Sequence, residues 1–216
     1  MKETDLALPV IKLLADAGHE IYQEVKTTWG VVDIVAKCGS ILWSVEVKTT
    51  CNLVVLGQAL ENISCFHYSS IAVPYARRGG KSRRVVDQFA RQNGIGIIEI
   101  TNGYGGWAAQ ETRHARFHRK ALTHWVNLFE EQKYWAAAGT SEGKAYTPFQ
   151  HTKQRLIQFV EKNPGCTIRE VMESIEHHYH KLSTAMNCTC QWIHAGVISE
   201  LRFEDGKLFL REDSVA

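Results

Sequence analysis

The segment 31–48 constrains this chain more than any other, because two independent signals in it specify the same β-hairpin. Gly39-Ser40 is a two-residue turn with Gly at its first central position, a pattern that connects antiparallel strands. On either side of it, Val32, Ile34, Ala36, Trp43, Val45 and Val47 alternate onto one wholly apolar face, which reads as the buried one. The other face carries Val31, Asp33, Val35, Ser44, Glu46 and Lys48. The turn sets Asp33 directly across from Glu46. Opposed side chains have Cβ atoms about 5 Å apart, so two carboxylates there repel unless positive charge lies between them. A solvated surface hairpin would instead set acid against lysine.

Lys48, two residues along the same face, answers that repulsion in part. A divalent cation answers it more fully, because a hard ion such as Mg2+ binds through one or two carboxylates and keeps several waters. If Thr27–Gly30 forms a four-residue loop, Glu24 falls opposite Asp33 and three acids line up across three strands. This grouping suits phosphodiester hydrolysis. Such a metal polarises a phosphate and acidifies a bound water, while a lysine orients or deprotonates that water or offsets charge in the transition state.

The elements around the hairpin define an α/β region over residues 1–101. Thr4–Ala17 has helical spacing of Leu6, Val10, Leu13 and Leu14 and stops at Gly18, with Pro9 read as the first regular helical position. Strand-like segments follow at Glu20–Lys26, Val31–Lys37 and Ile41–Lys48, then a helix from about Asn52 to Phe66 and a strand at Ser70–Val73. A loop, a helix near Arg84–Gln92 and a strand at Ile95–Ile100 complete a mixed sheet with helices on its faces. Asn102–Gly106 is a turn-rich break, and residues 102–146 read as a partly helical connector.

Gly30-Val31-Val32-Asp33 followed by Val45-Glu46-Val47-Lys48, inside an α-β-β-β-α-β order, resembles the PD-(D/E)XK nuclease superfamily. The resemblance implies a restriction-endonuclease-like fold. It also implies Asp33 and Glu46 as ligands of Mg2+ or Mn2+, Lys48 as catalytic lysine, and Gln58, early in the next helix, as a residue that holds or orients the site. Glu24 is a further acid of that site, with Glu3 on the first helix competing for the same role. Val32 stands where the superfamily name has Pro, and Asn62, four residues after Gln58, stands where the exonuclease-type branch has tyrosine.

Residues 147–216 follow a second plan, giving two modules and a connector within 216 residues. Thr147-Pro148 opens a helix that stops at Asn163-Pro164-Gly165, and Thr167 with Glu170 forms a capping box for a second. Ser183 caps a third, ending at Gly196. Val197–Phe203 and Lys207–Leu210 then form a hairpin about Asp205-Gly206. Three helices and a hairpin are the layout of a small α+β winged helix-turn-helix domain.

The formal net charge is only +2, so any affinity for DNA must be local. Arg77, Arg78, Lys81, Arg83 and Arg84 form a run without an acid, and Arg113, Arg116, Arg119 and Lys120 form a second on an expected basic helix. Both suit a polyanion beside an acidic metal site. The third helix of the winged-helix block offers Ser183, Thr184, Asn187, Thr189 and Gln191 toward DNA. That block has 8 basic and 9 acidic residues from 151 onward, so protein contact or homodimerisation is its other expected role.

Six cysteines in an expected cytoplasmic setting read as thiols. Cys188-Thr189-Cys190 lacks the spacing and the partner pair of a structural zinc site. No apolar run approaches the roughly 20 residues of a membrane span. The expected function is a metal-dependent DNA nuclease. The alternative is a catalytically inactive nuclease-fold protein that binds DNA or regulates through the winged helix.

Overall fold

The computed structural model describes residues 2–76, 81–140 and 145–211, and the side chains of residues 81 and 82 also lie outside the description. The chain forms two units, Met1–Tyr146 and Thr147–Ala216.

The first unit contains a six-stranded mixed sheet flanked by helices, in agreement with the α/β expectation. Its elements run α1 (Glu3–Asp16), β1 (Glu20–Lys26), β2 (Val31–Cys38), β3 (Ile41–Val47), α2 (Leu53–Asn62), β4 (Tyr68–Pro74), α3 (Lys81–Asn93), β5 (Gly96–Gly103) and β6 (Gly106–Arg113). The strands lie side by side in chain order. β1, β2 and β3 are antiparallel, β3, β4 and β5 are parallel, and β6 returns antiparallel to β5. Helices supply the crossovers between the parallel strands, as such connections require.

Both faces of the sheet are covered. Leu6, Val10 and Leu14 of α1 pack with Ile34, Ala36, Val45 and Val47 on one face. Val55, Leu56 and Ala59 of α2 and Val86 and Ala90 of α3 pack with Ile71, Val73 and Ile97 on the other. The polar face of the hairpin is therefore buried too. α1 begins at Glu3 and continues through Pro9 rather than starting there. A proline inside a helix costs roughly 3 kcal/mol, and the burial of Leu6 and Ala7 ahead of it holds the first turns in place.

The β2–β3 register is the one set by Gly39-Ser40, with Ile34 against Val45 and Val35 against Ser44. The β1–β2 ladder also keeps one register on both sides of Glu24 and Asp33, but it is interrupted at that pair. Tyr22 and Val25, three apart on β1, share a cluster with Val32 and Val35, three apart on β2. Strict alternation forbids that. The break coincides with Glu24, whose φ of 52° is a left-handed conformation within a strand. The expectation that Val32 shares a face with Ile34 is corrected accordingly.

Residues 102–146 belong to the first unit and are not a separate connector. Asn102 and Gly103 extend β5, and the turn after them closes a hairpin with β6. Between β6 and Tyr146 the only regular pieces among the described residues are two 3-10 turns, Thr123–Trp125 and Glu130–Lys133. The expected basic helix at Arg113–Lys120 is not formed: Arg113 ends β6 and residues 114–120 are irregular chain, tied down by Arg116 N–H to Gly94 O and His118 N–H to His67 O.

The second unit contains α4 (Pro148–Lys162), β7 (Cys166–Thr167), α5 (Ile168–Ser174), α6 (Leu182–His194), β8 (Leu201–Glu204) and β9 (Lys207–Leu210). β9 lies between β7 and β8 in a three-stranded sheet. Thr147 caps α4, and Thr167 and Glu170 form the reciprocal box on α5. Asp205 and Gly206 both have positive φ, 47° and 76°, as the two central residues of a type I′ turn require. Ser183 is not a cap, because α6 starts one residue before it. Among the described residues, no helix is long and apolar enough to cross a membrane.

Candidate active site

Asp33, Glu46 and Lys48 come together at one end of β2 and β3. Glu24, Asp33 and Glu46 are only 4%, 7% and 2% exposed, which is unusual for carboxylates. Asp33 Oδ2 accepts from the backbone N–H of Val47 at 2.8 Å and from Lys48 Nζ at 3.2 Å. The first bond replaces a ladder contact. It turns the Asp33 carboxylate toward the chain that carries Glu46 and Lys48. Lys48 Nζ also donates to Glu3 Oε2 at 3.1 Å, so it bridges the start of α1 and the start of β2.

Glu46 is held from the opposite side of the sheet. Asn62, on the last turn of α2, donates to Glu46 Oε1 at 2.8 Å, and Glu46 Oε2 is buried with no hydrogen-bond partner. Gln58, one turn earlier on α2, likewise buries its Oε1 without a partner. α2 is aimed at the site by Asn52, whose side chain accepts from Val54 N–H and Val55 N–H.

The electrostatics follow from burial. Desolvation and the charge of Asp33 push the Glu46 carboxyl up to about 8. Desolvation also raises Asp33, against the opposing pull of Lys48 and the Val47 N–H. Burial alone would lower the pKa of Lys48, but the carboxylates of Asp33 and Glu3 outweigh it, and its net shift is upward. The lysine is therefore a cation fixed between acids.

Glu24 does not complete the expected row of three acids. Its Oε1 accepts from Gly139 N–H at 2.7 Å and Thr140 N–H at 3.1 Å, so that oxygen is committed to the loop. Burial and the nearby Asp33 charge raise it to about 7. Among the described residues, no group of three or more His, Cys, Asp and Glu side chains is placed to hold a metal ion. Asp33 and Glu46 stand as a pair.

The candidate DNA-contacting residues fare differently from one another. Arg77 and Arg78 lie outside the described residues, and Lys81 opens α3 with its side chain outside them. Arg83 is not a free cation: it is ion-paired with Glu99 and with Asp87 and is largely buried. Its place facing β5 on α3 explains this. Arg84, the next residue on the helix, is exposed. Arg116 and Arg119 are exposed on the irregular segment after β6, and Asn187 and Gln191 are exposed one turn apart on α6. Thr189 does not join them; it is buried and its hydroxyl contacts Met172 Sδ.

Sequence reasoning did not assign roles to Asn62, Gly139 or Thr140. Asn62 has a recoverable signal, since it falls one helical turn after Gln58 on the same face. Gly139 and Thr140 have none, because more than a hundred residues separate them from Glu24. Compared with known proteins, the chain matches no protein-family model, no curated protein and no solved structure.

Proposed function

We propose that the chain is a divalent-metal-dependent DNA nuclease that hydrolyses phosphodiester bonds. In this reading the first unit is a PD-(D/E)XK core of restriction-endonuclease-like type and the second a winged helix-turn-helix module. The observation that carries it is the burial of Asp33 and Glu46 together beside Lys48, with Glu46 Oε2 left without a donor. An open carboxylate oxygen away from water is costly, and hard oxygen donors of this kind fit Mg2+ or Mn2+. Bound there by Asp33 and Glu46, the ion would polarise the phosphate and lower the pKa of a water.

The chain's own groups divide the remaining work. Lys48, with its raised pKa and its bond to Asp33, remains protonated. It therefore serves as a donor that orients the attacking water and offsets charge growing on the phosphate oxygens, rather than as a base. Glu3 fixes Lys48 from the α1 side, and Asn62 fixes the rotamer of Glu46. Gln58 Oε1, buried and open, is available to orient a water or a donor. Arg84, Arg116 and Arg119 supply exposed cations for a polyanion. Asn187 and Gln191 on α6 offer side-chain amides for base edges or phosphates.

Closed circular and linear DNA incubated with Mg2+ or Mn2+ tests the reading. Lys48→Ala and Glu46→Gln should each lower cleavage by about 100-fold or more, the scale of losing one preorganised electrostatic group, with unchanged circular dichroism. Full cleavage by both variants would sink it. The lack of a third ligand beside Asp33 and Glu46 among the described residues favours a second reading, a catalytically inactive nuclease-fold protein that binds DNA or regulates through its second unit. That reading requires salt-sensitive DNA binding and no cleavage with any divalent ion.

A further inference from the structure

At the opposite end of β3 from the carboxylates lies a cleft of about 300 Å³, bounded by His19, Ile41, Trp43, Tyr68, Glu111 and His114. That volume is at the lower end of the range for small-molecule sites. Trp43 precedes Glu46 by three residues, about 10 Å along a strand. The cleft is a separate site, not an extension of the acidic centre.

Its walls are aromatic and fixed. The Trp43 indole N–H donates to Ser70 Oγ at 2.9 Å, which sets the ring orientation. Tyr68 packs against Trp43 at 6.2 Å between ring centroids and against Phe117 at 5.4 Å, and Phe117 stacks on His67 at an interplanar angle of 6°. His19 meets Trp43 edge-on. A flat ring entering this cleft finds surfaces already in place.

Its polar groups are chiefly acceptors. Glu111 accepts from His114 through Oε2 at 2.7 Å. The Glu111 side chain is 22% exposed, and each carboxylate oxygen has two acceptor positions, so Oε1 and the second position of Oε2 remain for a ligand. His19 Nδ1 lies 3.1 Å from Leu14 O. A carbonyl can only accept, so Nδ1 donates there, and Nε2 is an acceptor in the uncharged form of the ring. A ligand that suits the cleft is therefore planar with a donor edge. Guanine has two adjacent donors, the ring N1–H and the N2 amine, which match a carboxylate bidentately; thymine has a single ring N–H. Just past His114, Arg116 and Arg119 are exposed, and neither is paired with a carboxylate among the described residues. They suit the phosphate that a nucleotide carries.

We propose that this cleft binds a single unpaired guanine base, presented by a nucleic-acid strand or by a free nucleotide. The nuclease reading enters only as a reason to expect the strand as the source. The test uses the full chain in EDTA, with fluorescence anisotropy on a labelled duplex bearing one unpaired guanine, the same duplex with unpaired thymine, and the fully paired duplex. Guanosine monophosphate is titrated separately by calorimetry. The unpaired guanine should bind about 10-fold more tightly than thymine or the paired duplex, the scale of one bidentate pair. Glu111→Gln should remove most of that preference, and Trp43→Leu should weaken both unpaired bases.

Binding of guanosine monophosphate that Glu111→Gln abolishes, without discrimination among the duplexes, identifies the free nucleotide as the source. Equal affinity for guanine and thymine without Glu111-dependent binding of guanosine monophosphate, or a preference that Glu111→Gln leaves intact, overturns the proposal. Asp33→Asn should remove cleavage and leave the guanine preference unchanged, so the cleft and the nuclease centre fail independently.

Discussion

The two units of this chain treat polar groups in opposite ways. In the second, the buried polar side chains among the described residues are His151, Thr152 and Thr189, and none is a carboxylate. Its core of Leu156, Val160, Val171, Leu201 and Leu208 is apolar throughout, and no Asp, Glu, Lys or Arg is buried among its described residues. The first unit buries Glu24, Asp33 and Glu46, with the charge of Asp33 felt by both glutamates and Lys48 bonded to Asp33. It also bends a strand into left-handed backbone at Glu24. Local rules broken together at one place are expected where a chain has been shaped for function rather than for stability. The second unit can be accounted for by packing alone, and the first cannot.

The largest test of this contrast lies in the second unit. Leu156 is fully buried in its core, so Leu156→Ala should cost about 3 kcal/mol in urea unfolding through lost transfer energy and a cavity. The first unit should answer differently to a change of similar size. Glu46→Gln keeps the bond from Asn62 through its amide oxygen but removes a buried charge. It should therefore raise stability above neutral pH by about 2 kcal/mol. A loss of stability at pH 8.5 on that substitution would show that the carboxylate is well solvated and would dissolve the contrast.

Proton linkage gives the same contrast a sign. Glu46 titrates near 8 and Glu24 near 7 in the folded chain, both from an ordinary value of 4.5. Between those limits the folded state holds protons that the unfolded chain has released, so stability must fall as pH rises from about 4.5 toward 8. In the second unit, burial and the neighbouring His177 lower the pKa of His178 from 6.5. There the unfolded chain holds the extra proton, so this contribution is complete above pH 6.5 and lost as pH falls below it. Melting temperatures from pH 5 to 8.5 in EDTA should fall toward the alkaline end. Glu46→Gln should flatten that fall, and Mg2+ should reduce it if the ion binds there. A pH-independent melting temperature would break the link.

What could be read from the sequence followed the same division. The β2–β3 register was legible because the turn at Gly39-Ser40 and the apolar alternation are both local signals that agree. The caps of α4 and α5 and the Asp205-Gly206 turn were legible for the same reason. The break at Glu24 was not, since it depends on a non-glycine residue at positive φ that the loop near Gly139 helps to hold. β6 escaped notice because it is an edge strand with every residue of Trp107–Arg113 at least partly exposed, which leaves no apolar alternation in the sequence to detect. Arg83 looked like a solvent cation until the fold brought Glu99 against it.

The smallest test concerns one of those legible signals. Thr167 Oγ1 accepts from Glu170 N–H at 3.3 Å, and Glu170 Oε2 accepts from Thr167 N–H at 2.7 Å and from Thr167 Oγ1 at 2.9 Å. Thr167→Ala removes the hydroxyl's share of the box and leaves the backbone bond to Glu170. The cost should be about 1 kcal/mol, the usual value for a lost N-cap. Because the box pulls the Glu170 carboxyl below its ordinary range through those same bonds, its contribution is present above the unfolded pKa and fades as pH falls below it. The difference between wild type and Thr167→Ala should therefore shrink on acidification, while the stabilising effect of Glu46→Gln grows on alkalinisation. If both substitutions shift stability by the same amount at every pH, the carboxylates of the two units are not held in the opposed environments described above.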